Sequence, residues 1–311
     1  MATAIPPLTK AEELEFGEMT FGDDETIPRS KLVVASYNIR YAAGPFLISG
    51  GLLRKAGLTR SRVRSEAVAK RIHLAAEAFS SGALLPRVDV LALQEADKKT
   101  ARAGGQHVAR TLATELDMTW AHAPAGIPRG IKPQSRQWWL DFEEPIELYD
   151  KGDTGIALLS RFPLTHVTRI DLPWHHCPWR PRLAMAATII VGKRHIRIFN
   201  VHVDPHAAAD GQLEQLEVIA DQAAAGREPT IILGDFNTLS KQKSLETRHF
   251  LEARGYKTPF ATGTPTWRGA GIRLQADWIF VRDLNIGRWG VARPLNVSDH
   301  WPIWSELDLI G

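Results

Sequence analysis

Hydrophobic residues recur along the chain in short uninterrupted runs, and these runs predict β-strands. Several of them are apolar for four or more positions in a row, which is typical of strands that are covered on both faces. Polar and Gly-containing stretches separate the runs and mark turns or loops. The predicted strands span residues 31–39, 88–96, 155–162, 183–191, 195–203, 230–237 and 275–281.

Other segments carry apolar residues at helical spacing. They predict helices over residues 61–79, 106–116, 211–225 and 244–255, and Gly255 is suited to cap the last of these. Residues 185–201 instead predict a hairpin, with Gly192 and Lys193 near its turn. Helices between some strands and hairpins between others indicate sheets flanked by helices, although this order alone leaves the topology open.

Composition places the chain among soluble globular proteins. Of its 311 residues, 44% are hydrophobic and 23% are charged, which is enough for a sizeable core. The net charge of +3 permits an anionic substrate without requiring one. The single cysteine, Cys177, excludes an internal disulfide and argues against a structural zinc site.

The chain shows no membrane or secretion signal, so we expect a cytoplasmic, monomeric protein. No apolar run approaches the roughly 18 to 20 residues that a spanning helix needs. The N-terminus lacks the basic-then-apolar pattern of a signal peptide. Residues 1–28 are acidic and contain Pro and Gly, which predicts a loosely held arm before a domain over residues 29–311.

Acid, amide and imidazole side chains stand at the ends of the predicted strands and near the C-terminus. They are Asn38, Glu95, His202, Asp204, Asp235, Asn237, Asp277, Asp299 and His300. Each alone has an ordinary explanation as a turn residue, an ion-pair partner or a hydrogen-bonded histidine. Together they favour a functional site, because ligand sites in sheet proteins gather at strand ends.

The residue types in this set are chemically coherent. Carboxylate and amide oxygens suit a hard cation such as Mg²⁺ or Mn²⁺. An Asp beside a His suits oriented acid–base chemistry. Both are what the metal-assisted attack of water on a phosphate ester requires.

Eight short motifs carry a resemblance to a known family. They are SYNI, LQE, GIALLSRFP, NVHVD, GDFN, TPTW, ADWIF and SDH, and they occur in order between about residues 31 and 307. In this order the chain resembles the endonuclease/exonuclease/phosphatase family with its DNase-I-like fold. The resemblance implies a four-layer α/β sandwich, in which two mainly antiparallel sheets pack face to face with helices outside. It also implies a divalent cation, usually Mg²⁺, and hydrolysis of a phosphodiester or a phosphomonoester. For this chain we expect a phosphodiester.

The resemblance assigns three residues to the metal. Glu95 of LQE is the expected main ligand, Asn38 of SYNI would help to hold the metal or a phosphate oxygen, and Asp299 of SDH would sit beside it.

The resemblance assigns five more residues to the reaction. Asp235 would position or deprotonate the attacking water, and Asn237 would steady that Asp and the phosphate. His202 would donate to the phosphate. His300 would contact the phosphate or act as general base, with Asp277 orienting its imidazole. The choice of base between Asp235 and His300 stays open.

The chain departs from the DNA-repair members of the family. They often carry an acid where this chain has Arg40, an Asn where it has Ile156, and a Tyr-based segment where it has His202. These differences favour the His-bearing branches, which include sphingomyelinases, deadenylases, inositol-phosphate phosphatases and a group of bacterial metal-dependent hydrolases. The chain looks like that bacterial group.

Three segments are candidates for choosing the substrate. Residues 41–64 are Gly-rich and then basic, and they either contact phosphate or an acidic membrane surface or form a solvated helix start. Residues 137–150 and 172–182 contribute tryptophans beside arginines, which suit either stacking on a substrate or core packing. Among these residues and TPTW, Arg182 and Trp267 are the candidate substrate-binding residues.

Two functional readings therefore compete. The first is a metal-dependent phosphoesterase whose substrate is a nucleic acid, a sphingomyelin-like lipid or an inositol phosphate. The second is a non-catalytic binding module that keeps the fold.

Overall fold

The chain folds into two large β-sheets with helices outside them, in a computed structural model that describes residues 14–17, 30–45, 61–128, 146, 150–173, 181–269 and 271–309. Within these residues the sheets have seven and five strands, and two further strands form a separate hairpin.

The seven-stranded sheet runs in the order β1-β4-β5-β3-β2-β14-β13. Its strands are β1 (Glu15–Gly17), β2 (Lys31–Asn38), β3 (Val90–Gln94), β4 (Thr119–Pro124), β5 (Gly155–Ser160), β13 (Asn285–Val291) and β14 (Ile303–Asp308). Neighbouring strands are antiparallel except for β2 and β3, which are parallel. The last residues of β2 and β3, Asn38 and Gln94, therefore lie side by side at one edge.

The five-stranded sheet runs in the order β12-β9-β8-β7-β6. Its strands are β6 (Leu164–Asp171), β7 (Leu183–Val191), β8 (Arg194–His202), β9 (Thr230–Asp235) and β12 (Asp277–Arg282). Here β8 and β9 are the parallel pair. The separate hairpin consists of β10 (Trp267–Gly269) and β11 (Ile272–Leu274).

Helices cover the outer face of each sheet. The helices α1 (Ser61–Ser80) and α2 (Val108–Leu116) pack on the seven-stranded sheet, where Ile72 and Leu112 share one buried cluster with Leu91 of β3. The helices α3 (Ala209–Ala224) and α4 (Lys241–Glu252) belong to the second cluster, which also fills the space between the two sheets. The predicted four-layer α/β sandwich is confirmed.

A buried amide bridges the two sheets directly behind their shared edge. Asn200 of β8 donates through Nδ2 to the carbonyls of Leu93 at 2.9 Å and Ala157 at 2.8 Å. Its Oδ1 accepts a hydrogen bond from Gln94 Nε2 at 2.7 Å. Because these groups are fully buried, the bonds satisfy polar atoms that would otherwise be costly, and they hold the sheets in one register.

The predicted strands and helices are all present with small shifts at their ends. The hairpin turn falls at Gly192 and Lys193 as predicted, and Gly255, with φ of 82°, follows the end of α4. The hydrophobic pattern missed β4, β6, β13 and β14 as well as the short strands. In β6 and β13 many side chains are partly or fully exposed, so the apolar run that marks a doubly covered strand is absent.

Part of the predicted N-terminal arm lies in the described residues. Glu15–Gly17 forms β1, which pairs with β4 and whose Glu15 contacts Lys98 and His107. Apart from Leu14, the other residues before Ser30 lie outside the described part, so a loosely held arm over residues 1–28 and a domain boundary at residue 29 stay predictions. Among the described helices, none is both long enough and apolar enough to cross a membrane.

Candidate active site

Three strands of the five-stranded sheet place polar side chains in one row at the edge. His202 at the end of β8 is the register partner of Asp235 at the end of β9, and Asp235 is the partner of Asp277 at the start of β12. The two parallel strands end at the same edge at which the antiparallel β12 begins. Regular strand pairing therefore brings together residues that are far apart in sequence.

Gly234 explains how β9 reaches this edge. A Cβ atom at Gly234 would lie 2.1 Å from the carbonyl oxygen of Val201 on the parallel neighbour, and its φ is 151°. Only glycine accommodates this approach. The glycine of GDFN thus lets the two strands stay close while Asp235 points into the edge.

Asp235 lies at the centre of the group. Its Oδ2 accepts a hydrogen bond from Asn38 Nδ2 at 2.9 Å and lies 3.7 Å from His202 Nε2 and 3.8 Å from His300 Nε2. Its Oδ1 accepts the backbone N–H of Asn237 at 2.9 Å. Burial raises the pKa of Asp235, while the imidazole of His300 lowers it and the charge of Asp277 raises it further.

His300 and Asp277 form a buried dyad beside it. His300 Nδ1 lies 2.9 Å from Asp277 Oδ2, so the carboxylate orients the imidazole and directs Nε2 toward Asp235. Burial opposes a charge on His300, but Asp277 and Asp235 outweigh it and raise the pKa of this imidazole well above its usual range. The raised pKa favours the protonated form of His300, in which both ring nitrogens are donors.

The seven-stranded sheet contributes Asn38 and Glu95 to the same edge. Asn38 Nδ2 also lies 3.2 Å from Glu95 Oε1, so one amide group spans the two carboxylates of Glu95 and Asp235. The Oδ1 of Asn38 accepts the backbone N–H of Arg40 at 3.0 Å. Glu95 has a φ of 52°, a left-handed conformation that is unfavourable for a side-chain-bearing residue and that is often found at functional sites.

Arg40 enters the site from a strained turn. Arg40, Tyr41 and Ala42 all have positive φ angles of 44°, 44° and 55°. Left-handed backbone costs roughly 1–2 kcal/mol per non-glycine residue, so neighbouring contacts must hold this turn. The guanidinium of Arg102 lies 4.1 Å from the centre of the Tyr41 ring and forms a buried ion pair with Asp97 at 2.6 Å.

The carboxylate of Asp299 faces several donors in this structure. Arg40 Nη1 lies 3.5 Å from its Oδ2, and Trp267 Nε1 donates to the same oxygen at 3.1 Å. Ser298 Oγ lies 3.1 Å from Oδ1. Trp267 is thus placed at the site through its indole N–H, in contact with Asp299.

His202 contacts a buried arginine. Arg182 Nη1 lies 2.8 Å from His202 Nε2, and both residues are almost fully buried. Because a guanidinium only donates, Nε2 of His202 is the acceptor in this contact and the imidazole proton is on Nδ1. In this contact the guanidinium of Arg182 is therefore the hydrogen-bond donor, next to His202 at the end of β8.

The donor set fits a hard divalent cation. Potential ligand atoms of Asp235, Asp277 and His300 lie within 4.8 Å of one another. Nδ1 of His300 already contacts Asp277 Oδ2, however, which leaves Nε2 as the ligand atom of His300. Glu95 is the most exposed carboxylate of the site. Its side chain is 12% exposed, whereas that of Asp235 is 2% exposed and that of Asp277 is 1% exposed. Asp299, at 9%, is the next most exposed carboxylate, so Glu95 and Asp299 are the two that a cation from solvent can reach most easily.

The structure brings the predicted site residues to one edge. These residues are Asn38, Glu95, Arg182, His202, Asp235, Asn237, Trp267, Asp277, Asp299 and His300. The side-chain amide of Asn237 donates to the carbonyl of Val203 at 2.9 Å, so Asn237 contacts Asp235 through its backbone.

Two residues that support the site had no signal in the sequence. Gln212 donates to the carbonyl of Asn237 at 3.1 Å. His122 Nε2 lies 2.8 Å from the carbonyl of Ala96, which is next to Glu95.

Several candidate substrate-choosing residues lie outside the described part of the chain. They are residues 46–60 of the predicted 41–64 insertion, nearly all of residues 137–150, and residues 174–180, which include Cys177.

Two packed sheets with an acid–imidazole edge between them define the DNase-I-like class of α/β sandwich proteins. Residues 35–300 match the model of the Endonuclease/Exonuclease/phosphatase family, and the chain belongs to this family. Members of this family are usually phosphoester hydrolases and generally use divalent metals.

One relative in sequence and two solved structures resemble this chain. A UPF0294 protein from Yersinia pseudotuberculosis is 31% identical over 219 residues, which cover 67% of this chain and 80% of the relative. An endonuclease/exonuclease/phosphatase from Beutenbergia cavernae has a similar structure, with a TM-score of 0.60, 18% identity, and coverage of 91% of this chain and 72% of that chain. A mannosyl-6-phosphatase from Bacteroides thetaiotaomicron has a TM-score of 0.58, 17% identity, and coverage of 89% and 99%.

Proposed function

We propose that this protein is a phosphodiesterase that depends on Mg²⁺ or Mn²⁺ and hydrolyses its substrate by attack of water. One observation carries the proposal. The buried carboxylate of Asp235 has an amide and two imidazoles around a single oxygen, at 2.9, 3.7 and 3.8 Å, with the more accessible Glu95 across the same amide. Such a cluster combines a place for a cation, a base for water and donors for a phosphate.

The side chains divide the chemistry between them. Asp235, whose pKa burial raises, accepts a proton from the attacking water more readily than an ordinary carboxylate. His300, held as an imidazolium by Asp277, donates to a phosphate oxygen or to the departing alkoxide. This division favours Asp235 over His300 as the base.

A bound cation would neutralise phosphate oxygens and polarise the phosphorus centre. Glu95 is the residue that we propose to hold it, with Asn38 and Asp299 beside it. Asn38 holds the carboxylates of Glu95 and Asp235 at one spacing, and Arg40 balances part of the negative charge at Asp299.

Arg182 and His202 are the proposed phosphate contacts on the other side. A guanidinium suits phosphate because its parallel N–H groups match two oxygens. When phosphate binds, we expect Arg182 to turn from His202 Nε2 toward the phosphate. That turn would allow the imidazole to present a proton as well.

The experiment is hydrolysis of a small substrate panel in Mg²⁺ or Mn²⁺. The panel contains nicked and single-stranded DNA, RNA, sphingomyelin, phosphoinositides and bis-p-nitrophenyl phosphate. We expect turnover that EDTA abolishes and that His300→Ala lowers by about 10²–10⁴-fold, the usual range for a lost acid–base group. His249→Ala, at an exposed histidine on α4, is the matched control and keeps wild-type turnover.

The outcomes separate the alternatives. A preferred nucleic acid identifies a nuclease, and a preferred lipid or inositol phosphate identifies the other branch. Absence of turnover in every lane from folded, metal-loaded protein contradicts the phosphodiesterase and supports the binding module. A cytoplasmic location, a monomeric state and contact of residues 41–64 with a membrane stay predictions.

A further inference from the structure

A cluster of arginines lies beside the candidate active site, outside the groups already discussed. The guanidinium carbon atoms of Arg293, Arg268 and Arg273 lie 4.2, 5.1 and 6.0 Å from the centre of the Trp301 ring. We call these three residues the arginine cluster. Arg273 and Arg293 are exposed and Arg268 is half-buried.

The β10–β11 hairpin places two positive charges opposite each other. Arg268 of β10 and Arg273 of β11 are direct register partners, so two guanidinium groups stand opposite each other across the hairpin. Like charges in directly opposed positions destabilise a strand pair. Within the described ranges none of the three arginines forms an ion pair with a carboxylate.

The cluster is also held in place. Arg268 Nη2 donates to Asn296 Oδ1 at 2.6 Å, and Arg293 donates to the carbonyl of Pro265. Burial and the neighbouring charge of Arg273 lower the pKa of Arg293, which is the electrostatic sign of crowding. Arg268 and Arg293 are thus anchored beside Arg273, and an anion that binds at the cluster would offset the repulsion among the three cations.

The hairpin is hydrogen-bonded directly to the catalytic segment. Arg268 N donates to the carbonyl of Asp299 at 2.9 Å, and Trp301 N donates to the carbonyl of Thr266 at 2.7 Å. Trp267 forms an isolated bridge with His300. The hairpin backbone, which carries Arg268 and Arg273, therefore keeps a fixed position relative to His300 and Asp299.

We propose that the arginine cluster is a second phosphate-binding site, which takes a further phosphate group of the substrate whose first phosphate lies at Asp235 and His300. This inference rests on the proposed function, because that function places the first phosphate of the substrate at Asp235 and His300. Guanidinium groups bind phosphate through paired, charge-assisted hydrogen bonds, which is why arginine suits this role. The substrate class is thus a molecule with at least two phosphate groups on one scaffold.

The experiment compares ligands that differ by one phosphate. Calorimetric titration of the full chain in Mg²⁺ uses thymidine 5′-monophosphate against thymidine 3′,5′-bisphosphate, and fructose 6-phosphate against fructose 1,6-bisphosphate. We expect one bisphosphate to bind at least about tenfold more tightly than its monophosphate, as one added charge-assisted contact provides. Preference in the thymidine pair indicates a nucleotide chain as the source, and preference in the fructose pair indicates a small bisphosphate.

Matched double variants locate the effect. Arg273→Gln/Arg293→Gln should reduce the preference to about one while leaving monophosphate binding close to wild type, since only the second site loses its charge-assisted contacts. Arg248→Gln/Arg254→Gln removes two charges from the α4 region, where Arg254 also lies over an aromatic ring at 3.6 Å, and should keep the preference.

Three results would overturn the proposal: no preference in either pair, a preference that survives in the cluster variant, or an equal loss in both variants. Binding requires no turnover, so the test is separate from the test of the phosphodiesterase. If the protein selects a bisphosphate but hydrolyses nothing, the second phosphate site is supported and the phosphodiesterase is contradicted. If it hydrolyses a substrate of the panel but selects no bisphosphate, the phosphodiesterase is supported and the second phosphate site is contradicted.

Discussion

The two sheets build their halves of the site in different ways. The five-stranded sheet places His202, Asp235 and Asp277 on regular neighbouring strands in direct register. The seven-stranded sheet places Glu95 and Arg40 just beyond its strands, where both have left-handed backbone. One half therefore follows from strand pairing, and the other depends on contacts that hold an unfavourable backbone.

This difference predicts that substitutions in the two halves of the site have different effects. A substitution in the strand row should change the chemistry and leave the fold intact, because main-chain pairing holds the row. A substitution behind the loop half should change stability first, because side chains such as Arg102 and His122 hold the loops.

The strongest test of the strand row is Asp235→Asn. We expect kcat to fall by about 10³-fold, since the proposed base for the attacking water is lost. Burial raises the pKa of Asp235, so the folded state disfavours its charge at neutral pH and the metal-free variant should unfold at a higher temperature than wild type. Steady-state kinetics and thermal unfolding measure the two effects. Loss of both activity and stability would show that the carboxylate also holds the fold.

The strongest test of the loop half is Arg102→Leu. The substitution leaves the fully buried carboxylate of Asp97 without its ion-pair partner and removes the contact with Tyr41. Breaking one partner of a buried pair costs roughly 3–5 kcal/mol in the free energy of unfolding. Urea unfolding measures it, and the double variant Arg102→Leu/Asp97→Leu should recover part of the loss. Wild-type stability in the single variant would refute the role of Arg102.

A smaller effect on the strand row is expected from Asp277→Asn. The imidazole of His300 loses its orienting carboxylate, and we expect kcat to fall by about 10²-fold. Because Asp277 helps to raise the pKa of His300, the limb of the pH–rate profile that belongs to this group should move to lower pH. Asp283→Asn, at an exposed acid just after β12, is the control. An unmoved limb would mean that another group titrates there.

The smallest effect is a pH dependence of the loop half at His122. Burial, together with the charge of His107, lowers the pKa of His122 to about 4, so the folded protein keeps this imidazole neutral. Between pH 6.5 and 4 the unfolded chain binds the proton and the folded chain does not, so stability falls as pH falls. His122→Gln should remove at most about 3 kcal/mol of this acid sensitivity, as the shift implies. Unfolding measured at several pH values tests this prediction. If the stability of wild type and of His122→Gln falls equally between pH 6.5 and 4, the prediction is wrong.

The family's motifs made the strand row predictable and left the loop half partly hidden. Asp235, Asn237 and Asp277 stand beside long apolar runs, so their places at strand ends could be inferred. Arg40 differs from the family pattern, but no residue type in SYNIRYA predicts the left-handed backbone of Arg40, Tyr41 and Ala42. Edge strands such as β6 and β13 were missed because exposure removes the apolar pattern.

By itself, the order of apolar and amphipathic segments indicated sheets flanked by helices, with acid, amide and imidazole side chains at strand ends. The motifs that resemble the family implied the four-layer sandwich and the role of each site residue. Tertiary structure decided what each of them faces: Arg182 against His202, Trp267 against Asp299, and one amide of Asn38 between two carboxylates. Periodicity is a local property that each segment carries alone. These contacts instead join residues as far apart as Asn38 and Asp235, which meet only when two sheets pack with their parallel strand ends at one edge.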